Sequence, residues 1–484
     1  MDPVFELPIR LPPKDSRGLL HALHAQLRAA ILDGRLQPGL RLPSTRAFAA
    51  AFGVSRNTAV AAYDLLLSEG YLLTRQGAGA YVAAAMPRVR ERKTVPRQDA
   101  HERRLNAFWR GAAVAAVPRV PPRHDFQLGV PDLKLFPFAL WRKLSARTLR
   151  ALSKQPAAYA QSQGRAELRE AIAGHVSFAR AVACGADDIV VTAGAQQAFD
   201  LLARILVTPG KTVVAVEEPG YPPLRAAFAA AGAKLVPVRV DAEGLLVERL
   251  PRDARVICVT PSHQFPLGVA MSSSRRAALL EFAQARGAVV IEDDYDSEFR
   301  YGGRPLDALQ TLDRAESVFY VGTFSKSLFP GLRLGYVVTP PWARNAFVAA
   351  KQCSDWQCAH EVQDTAAAFI AEGHLARHIR RMRRIYDARR NLLLATLERD
   401  FSGWLQPIPS LAGLHLAAFA TRSLDIETIV EQARQQGVGF ASLRAFHASG
   451  KAARRGLVFG YGALDERSIA AGLASLRSLG PRIA

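Results

Sequence analysis

The sequence predicts an α/β protein in two parts: a small helical amino-terminal domain that ends in a hairpin, and a large domain built on a mostly parallel sheet. Three observations carry that prediction. Three helical patterns followed by two strand-like runs fill roughly the first eighty residues. Beyond residue 124, short apolar runs alternate with helical stretches, the pattern of strands covered by helices on both faces. Between the two, residues 84–123 have prolines at both ends and no sustained apolar period, so they read as a linker.

The totals agree. A chain of 484 residues is too long for one ordinary core, and 49% hydrophobic with 22% charged residues is the balance of a globular protein. No run of eighteen apolar residues appears, and the start "MDPVFELPIRLPPKD" lacks the basic-then-apolar order of a signal peptide. The expectation is a cytoplasmic protein without a membrane partner. Cys184, Cys258, Cys353 and Cys358 are scattered without paired CxxC spacing, so reduced, mostly buried thiols are expected and no metal. The net charge of +20 suits a polyanionic partner. It is unevenly spread: residues 84–123 hold ten basic against three acidic residues, and residues 1–83 nine against six.

Taken in order, "LLHALHAQLRAAILDGR" puts Leu20, Leu23, Leu27, Ala30 and Ile31 on one helical face, stopped by Gly34. Ser44 then caps a short helix to about Phe52, Gly53 makes a turn, and Ser55 caps a second helix to about Glu69. Helix, tight turn and helix form the unit that reads DNA by the amino-terminal end of its second helix. Here that end is "SRNT". Arg56 can donate two parallel hydrogen bonds to a guanine edge and Asn57 can pair with adenine, whereas Ser55 and Thr58 reach bases or phosphates. Tyr63, a turn further on, either contacts the phosphate backbone or packs. "YLLTR" and "AYVA" follow as a hairpin, with Arg75 placed for phosphates. Residues 19–83, above all "RLPSTRAFAAAFGVSRNT", resemble the winged helix-turn-helix domain of GntR-class bacterial regulators. That resemblance implies double-stranded DNA as partner, Arg41, Arg46, Arg56 and Thr58 as contacts, and Gly77 at the wing tip. The segment "DAHERRLNAFWRGAA" in the linker has the pattern of a short helix.

In the large domain the strand candidates are "DIVVTAG", "KTVVAVEEPG", "ARVICVTPS", "GAVVIEDDY" and "SVFYVGTFSK", and the helices include "QQAFDLLARILV", "YPPLRAAFAAAG" and "SSRRAALLEFAQARG". Ligands of such sheets bind at the carboxyl ends of the strands. Gly194, Ala195 and Gln196 follow one strand and open a helix, where free amides and the helix dipole suit a phosphate. Asp293 ends another strand, where a buried carboxylate needs a positive partner, with the Tyr295 hydroxyl nearby. Two adjacent carboxylates also suit a metal, but no His or Cys cluster accompanies them. Lys326 ends the next strand. A lysine amine forms a Schiff base with an aldehyde cofactor, and pyridoxal phosphate also asks for a carboxylate at its ring nitrogen and a phosphate cradle. All three are present.

Residues 124–480 resemble the fold-type I, class I aminotransferases. The resemblance implies a smaller carboxy-terminal α+β subdomain and gives Lys326 the cofactor's aldehyde, Asp293 the pyridinium nitrogen and Tyr295 the phenolic oxygen. It gives the phosphate to Thr323, Ser325, Arg333 and Gly194–Gln196, ring stacking to Tyr221, and a place near the phenolic oxygen to Gln264. Winged helix, basic linker and aminotransferase-like domain in this order, with "TPSHQFPLG", "EDDYDSEFRY" and "GTFSKSLFPGLRLGY", resemble the MocR/GabR family of transcription regulators. That implies a homodimer whose sheet domain senses pyridoxal phosphate, or a related amine or amino acid, through the cofactor. The chain departs from the active aminotransferases at one place: where they carry an arginine for the substrate carboxylate, "GLVFGYG" has Val458, with Arg454 and Arg455 as nearby basic residues. Sensing with little turnover is expected, as in the PdxR-like subgroup of vitamin B6 regulators; an active aminotransferase carrying a DNA-binding domain is the alternative.

Overall fold

The computed structural model describes residues 7–12, 16, 18–75, 79–83, 104–111, 121–156, 158–302, 307–421, 424–448 and 454–480. The chain divides into two compact units, Met1–Leu105 and Asn106–Ala484, at a point inside the segment read as a linker.

In the first unit, α1 (Leu19–Leu32) buries Leu23, Leu27, Ala30 and Ile31 as its period requires, while Leu20 is only partly covered. Helix α2 (Thr45–Phe52) starts where the Ser44 hydroxyl accepts the Ala47 amide, and Gly53 ends it in a left-handed turn. Helix α3 (Arg56–Ser68) starts where Ser55 accepts the Thr58 amide. Strands β1 (Leu72–Arg75) and β2 (Gly79–Val82) make the antiparallel hairpin. Phe48, Ala59, Ala62, Leu66, Leu72 and Val82 join the α1 residues in one core. The predicted wing tip, Gly77, lies outside the described residues. Of the linker helix, a 3₁₀ turn at Ala107–Gly111 is described.

In the second unit, β3 (His124–Asp125), α4 (Phe138–Leu152) and α5 (Ala166–Arg180) lead into the main sheet. The sheet comprises β4 (Ile189–Thr192), β5 (Val213–Glu218), β6 (Lys234–Asp241), β7 (Gly244–Leu245), β8 (Ala254–Val259), β9 (Val289–Asp294), β10 (Val318–Thr323) and β11 (Gly335–Val338). Its order is β4-β11-β10-β9-β8-β5-β6-β7. Strands β10, β9, β8, β5 and β6 are parallel neighbours, and β11 runs antiparallel between β10 and β4. The helices that follow strands include α6 (Ala195–Leu206), α7 (Pro222–Ala230) and α8 (Ser273–Arg286). Two buried apolar clusters lie on the two faces of this sheet, with alternate residues such as Val190 and Val191 going to different clusters. Such two-sided burial is why these strands are continuous apolar runs.

A second, antiparallel sheet follows α9 (Leu309–Leu312), α10 (Arg344–Ser354), α11 (His360–Ala371) and the long α12 (His374–Asp400). It holds β12 (Leu405–Pro407), β13 (His415–Ala420), β15 (Ala441–Ser442) and β16 (Gly456–Gly460), with α13 (Ile426–Gln435) and α14 (Glu466–Leu479) packed nearby, while β14 (Val438–Gly439) pairs with β3. The expected smaller α+β subdomain is this sheet and its helices. Of the four cysteines only Cys258 is buried, and Cys353 is exposed; "mostly buried" was an overstatement, since Cys353 lies on the outer side of α10. Among the described residues no helix is long and apolar enough to cross a membrane.

Candidate functional site

At the start of α3 the two hydroxyls of "SRNT" meet each other and the cap, with one O–H still free to donate. Ser55 Oγ accepts the Thr58 amide at 3.0 Å and lies 2.7 Å from Thr58 Oγ1. Ser55, Arg56 and Asn57 are exposed at this helix end, and Thr58 is partly so. Arg41, Arg46 and Arg75 are exposed too, with the Arg75 guanidinium 4.8 Å over the Tyr81 ring. Tyr63 packs: its ring is buried against Phe48 and its hydroxyl donates to the Pro43 carbonyl at 3.1 Å. That leaves it no surface for a phosphate.

In the large unit the carboxyl ends of the parallel strands surround a cavity of about 290 Å³. Its wall holds Ala195 and Gln196 from the start of α6, Tyr221, Asp293 from the end of β9, and Tyr295. Thr323, Ser325, Lys326 and Arg333 complete the predicted set, coming from the end of β10 and the loop after it. Nine separately predicted residues are thus brought to one place. Gly194 stands just behind them at φ 81°, and a Cβ there would lie 3.0 Å from Arg333 Nη2. Arg333 donates from that nitrogen to the Ala193 carbonyl at 2.8 Å, so the guanidinium is held against the start of α6. An anion in front of that helix would meet free amides, the positive end of the helix dipole and this cation together. Thr323 Oγ1 donates to Ser325 Oγ at 3.0 Å and accepts the Ser325 amide, which fixes the two hydroxyls beside Lys326.

Asp293 is buried, and its Oδ1 has no partner. Burial, with the neighbouring Asp294 charge, raises its pKa well above the carboxylate range, whereas Lys326 pulls it back. Its strand neighbours hold the strand end in place. Asp294 takes Arg180 Nε at 2.8 Å and the Tyr320 and Ser297 hydroxyls at 2.5 and 2.8 Å, and Glu292 accepts the Leu309 and Gln310 amides, each at 3.0 Å. Burial also lowers the pKa of Lys326, an effect opposed by Asp296 and Asp293. Gly129 makes room for this lysine: a Cβ on it would sit 2.6 Å from Lys326 Nζ, and its φ is +66°.

One residue differs from expectation. Gln264 is not on the cavity wall. Its amide nitrogen donates to the Pro219 and Phe265 carbonyls at 2.8 and 2.7 Å and its oxygen accepts the Leu267 amide, so the side chain braces its own loop. Phe265, one residue on, lines the cavity instead, edge-on to Tyr221 with centroids 5.3 Å apart. Tyr295 donates to the His263 carbonyl at 2.9 Å, beside His263 Nδ1 at 3.0 Å. The sequence motifs missed His263, Asp296 and His415, which come from three separate segments to lie within 4.8 Å of one another. His263 Nδ1 is 3.0 Å from Asp296 Oδ1, and His415 Nε2 is 3.1 Å from the Pro266 carbonyl. His415, Leu128, Gly129 and Phe446 also line the cavity without any local motif; the glycine of "LGVPD" was the one available hint.

Residues 123–449 match the family described as Aminotransferase class I and II, and residues 20–82 match Bacterial regulatory proteins, gntR family. Both halves extend to one relative: the chain is 40% identical to the probable rhizopine catabolism regulatory protein MocR of Rhizobium meliloti, over 94% of this chain and 92% of that one. It belongs to the MocR family of transcription regulators. The MocR-type chain is also 33% identical to the HTH-type pyridoxine biosynthesis transcriptional regulator PdxR of Corynebacterium glutamicum, over 96% of both. Among solved structures it is similar to the kynurenine aminotransferase of Pyrococcus horikoshii in complex with PMP, with TM-score 0.73 and 27% identity, over 79% of this chain and 98% of that one. LysN of Thermus thermophilus, complexed with a phosphopyridoxyl-leucine adduct, gives TM-score 0.67 and 28% identity, over 73% and 91%. A MocR-type regulator thus carries a helix-turn-helix for DNA and a domain whose structural neighbours bind pyridoxal or pyridoxamine phosphate.

Proposed function

We propose that this regulator binds pyridoxal 5′-phosphate at Lys326, works as a homodimer, and changes its hold on operator DNA with that occupancy, governing genes of vitamin B6 or amino-acid metabolism. One observation supports the reading above the rest: an amine, an unpartnered buried carboxylate oxygen and a helix start with its own arginine face one small cavity. When bound, the cofactor supplies an aldehyde carbon for an amine and a ring that draws electrons from it. Lys326 Nζ is the amine. Asp293 Oδ1 accepts from the ring nitrogen, and the proton held there offsets the cost of the buried carboxylate. The Tyr295 hydroxyl faces the phenolic oxygen and Tyr221 covers the ring. The Ala195 and Gln196 amides, with Thr323, Ser325 and Arg333, hold the phosphate at the mouth. On the DNA side Arg56 and Asn57 read bases, while Arg41, Arg46 and Arg75 hold phosphates.

Purified protein given the cofactor is expected to show a visible absorption band, and borohydride reduction to leave its mass on the peptide that carries Lys326. Lys326→Ala should lose both. A wild-type protein that does not take up the cofactor defeats the reading. The likeness to working aminotransferases keeps turnover in view as a second reading; sustained product from an amino acid and an oxo acid would establish it.

A further inference from the structure

This inference rests on cofactor binding at Lys326. We infer that the loaded cavity takes a second ligand, a small primary amine with an uncharged body, and that it discriminates against the corresponding amino acid with its carboxylate. Among the described residues two cations line the cavity, Lys326 and Arg333. The first sits beside Asp293 and Asp296 and the second is fastened to the Ala193 carbonyl at the α6 end, so both belong to the cofactor's half of the space.

The opposite wall is apolar. Phe265 and Phe446 face the cavity and belong to one buried cluster with Leu443, Ala417 and Val458. Val458 is fully buried in the middle of the small sheet, paired with Ala417 on one side and Ala441 on the other. Among the described residues this cluster holds no cation to receive a carboxylate. The basic groups nearby in sequence or space are occupied elsewhere. Arg225 donates to the Phe446 carbonyl at 2.6 Å from outside the wall and lies 3.6 Å from Glu218. Arg454 covers the Phe419 ring at 3.6 Å, and Arg455 donates to the Leu424 carbonyl at 3.2 Å. His415 gives Nε2 to the Pro266 carbonyl, which can only accept, so this nitrogen carries the ring's proton. Burial keeps the ring from taking up a second one. A carboxylate entering this half would lose its water and, among the described residues, find no cation. An amine reaching Lys326 with an aliphatic or aromatic body loses nothing comparable.

The test uses full-length protein loaded with pyridoxal phosphate, its visible band recorded first. Two matched pairs are titrated, 2-phenylethylamine against phenylalanine and butylamine against norvaline, with binding read by the change in that band and by calorimetry. The amine of each pair is expected to bind about tenfold or more tightly. Val458→Arg should narrow or reverse that ratio. If this variant does not fold, the wild-type ratio decides alone. Equal or tighter binding of the amino acids overturns the inference, including by way of an arginine from a second copy of the chain. So does a loaded protein that responds to neither member of a pair. A chain that never acquires the band fails one step earlier, and defeats cofactor binding itself.

Discussion

Lys326 owes its chemistry to where β10 stops. A lysine amine attacks an aldehyde only when neutral, and burial lowers its pKa from the ordinary lysine value. The neutral form is therefore reached at lower pH than in an exposed lysine. The rate of cofactor capture, followed by stopped-flow absorbance, should rise with pH and level off below the ordinary lysine range of about 10.4. A profile still climbing through that range would show an ammonium that is not depressed. At this scale the sequence was legible where chemistry is carried by a charged residue at a strand end: Lys326 and Asp293 stand where strand-end logic puts them, whereas Arg333 came from the family resemblance. It was least legible where a neutral side chain chooses between wall and loop. Gln264 and Phe265 are adjacent, and only the loop's carbonyls, at Pro219 and Phe265, decide that the amide turns inward and the ring takes the wall.

Among the elements, α3 and β9 show two ways of fixing a side chain. The cap at Ser55 fixes the start of the helix and leaves Arg56 and Asn57 to the solvent. Arg56→Ala should cost about 1–3 kcal/mol against the preferred base and little on random DNA, as read by titrations on operator and scrambled duplexes. Equal losses on both would make Arg56 a phosphate contact. Strand β9 is fastened by the buried Arg180–Asp294 pair. Arg180→Met leaves Asp294 buried without its cation, and should cost about 3–5 kcal/mol of stability, measured by the denaturant midpoint. The strands legible in the sequence are mostly buried on both faces, β4, β5, β8, β9 and β10, each carrying a short apolar run. Strand β6, "KLVPVRVD", carries Lys234, Arg239 and Asp241 and has Pro237 within it, and β11 is four residues long. Neither stands out from its surroundings, and of the carboxy-terminal strands β12 and β15 are shorter still.

For the molecule as a whole, the proposed regulation is a statement about free energy shared between a cofactor cavity and a DNA-reading end, and such sharing is reciprocal. If loading with pyridoxal phosphate changes operator affinity by some factor, saturating operator must change the affinity for pyridoxal phosphate by the same factor, because the condensation with Lys326 is reversible. Both legs can be measured on one preparation: fluorescence anisotropy of labelled operator with and without the cofactor, and the cofactor's visible band titrated with and without operator. A coupling of about 1–3 kcal/mol would appear as a change of roughly 5- to 150-fold in each. Lys326→Ala should reduce the first leg toward no change while leaving the operator affinity of cofactor-free protein where it was, since α3 and its cap contain nothing of the cavity. An operator affinity that ignores both the cofactor and an amine added to the loaded protein would make the large domain a scaffold and not a sensor, whatever Lys326 binds.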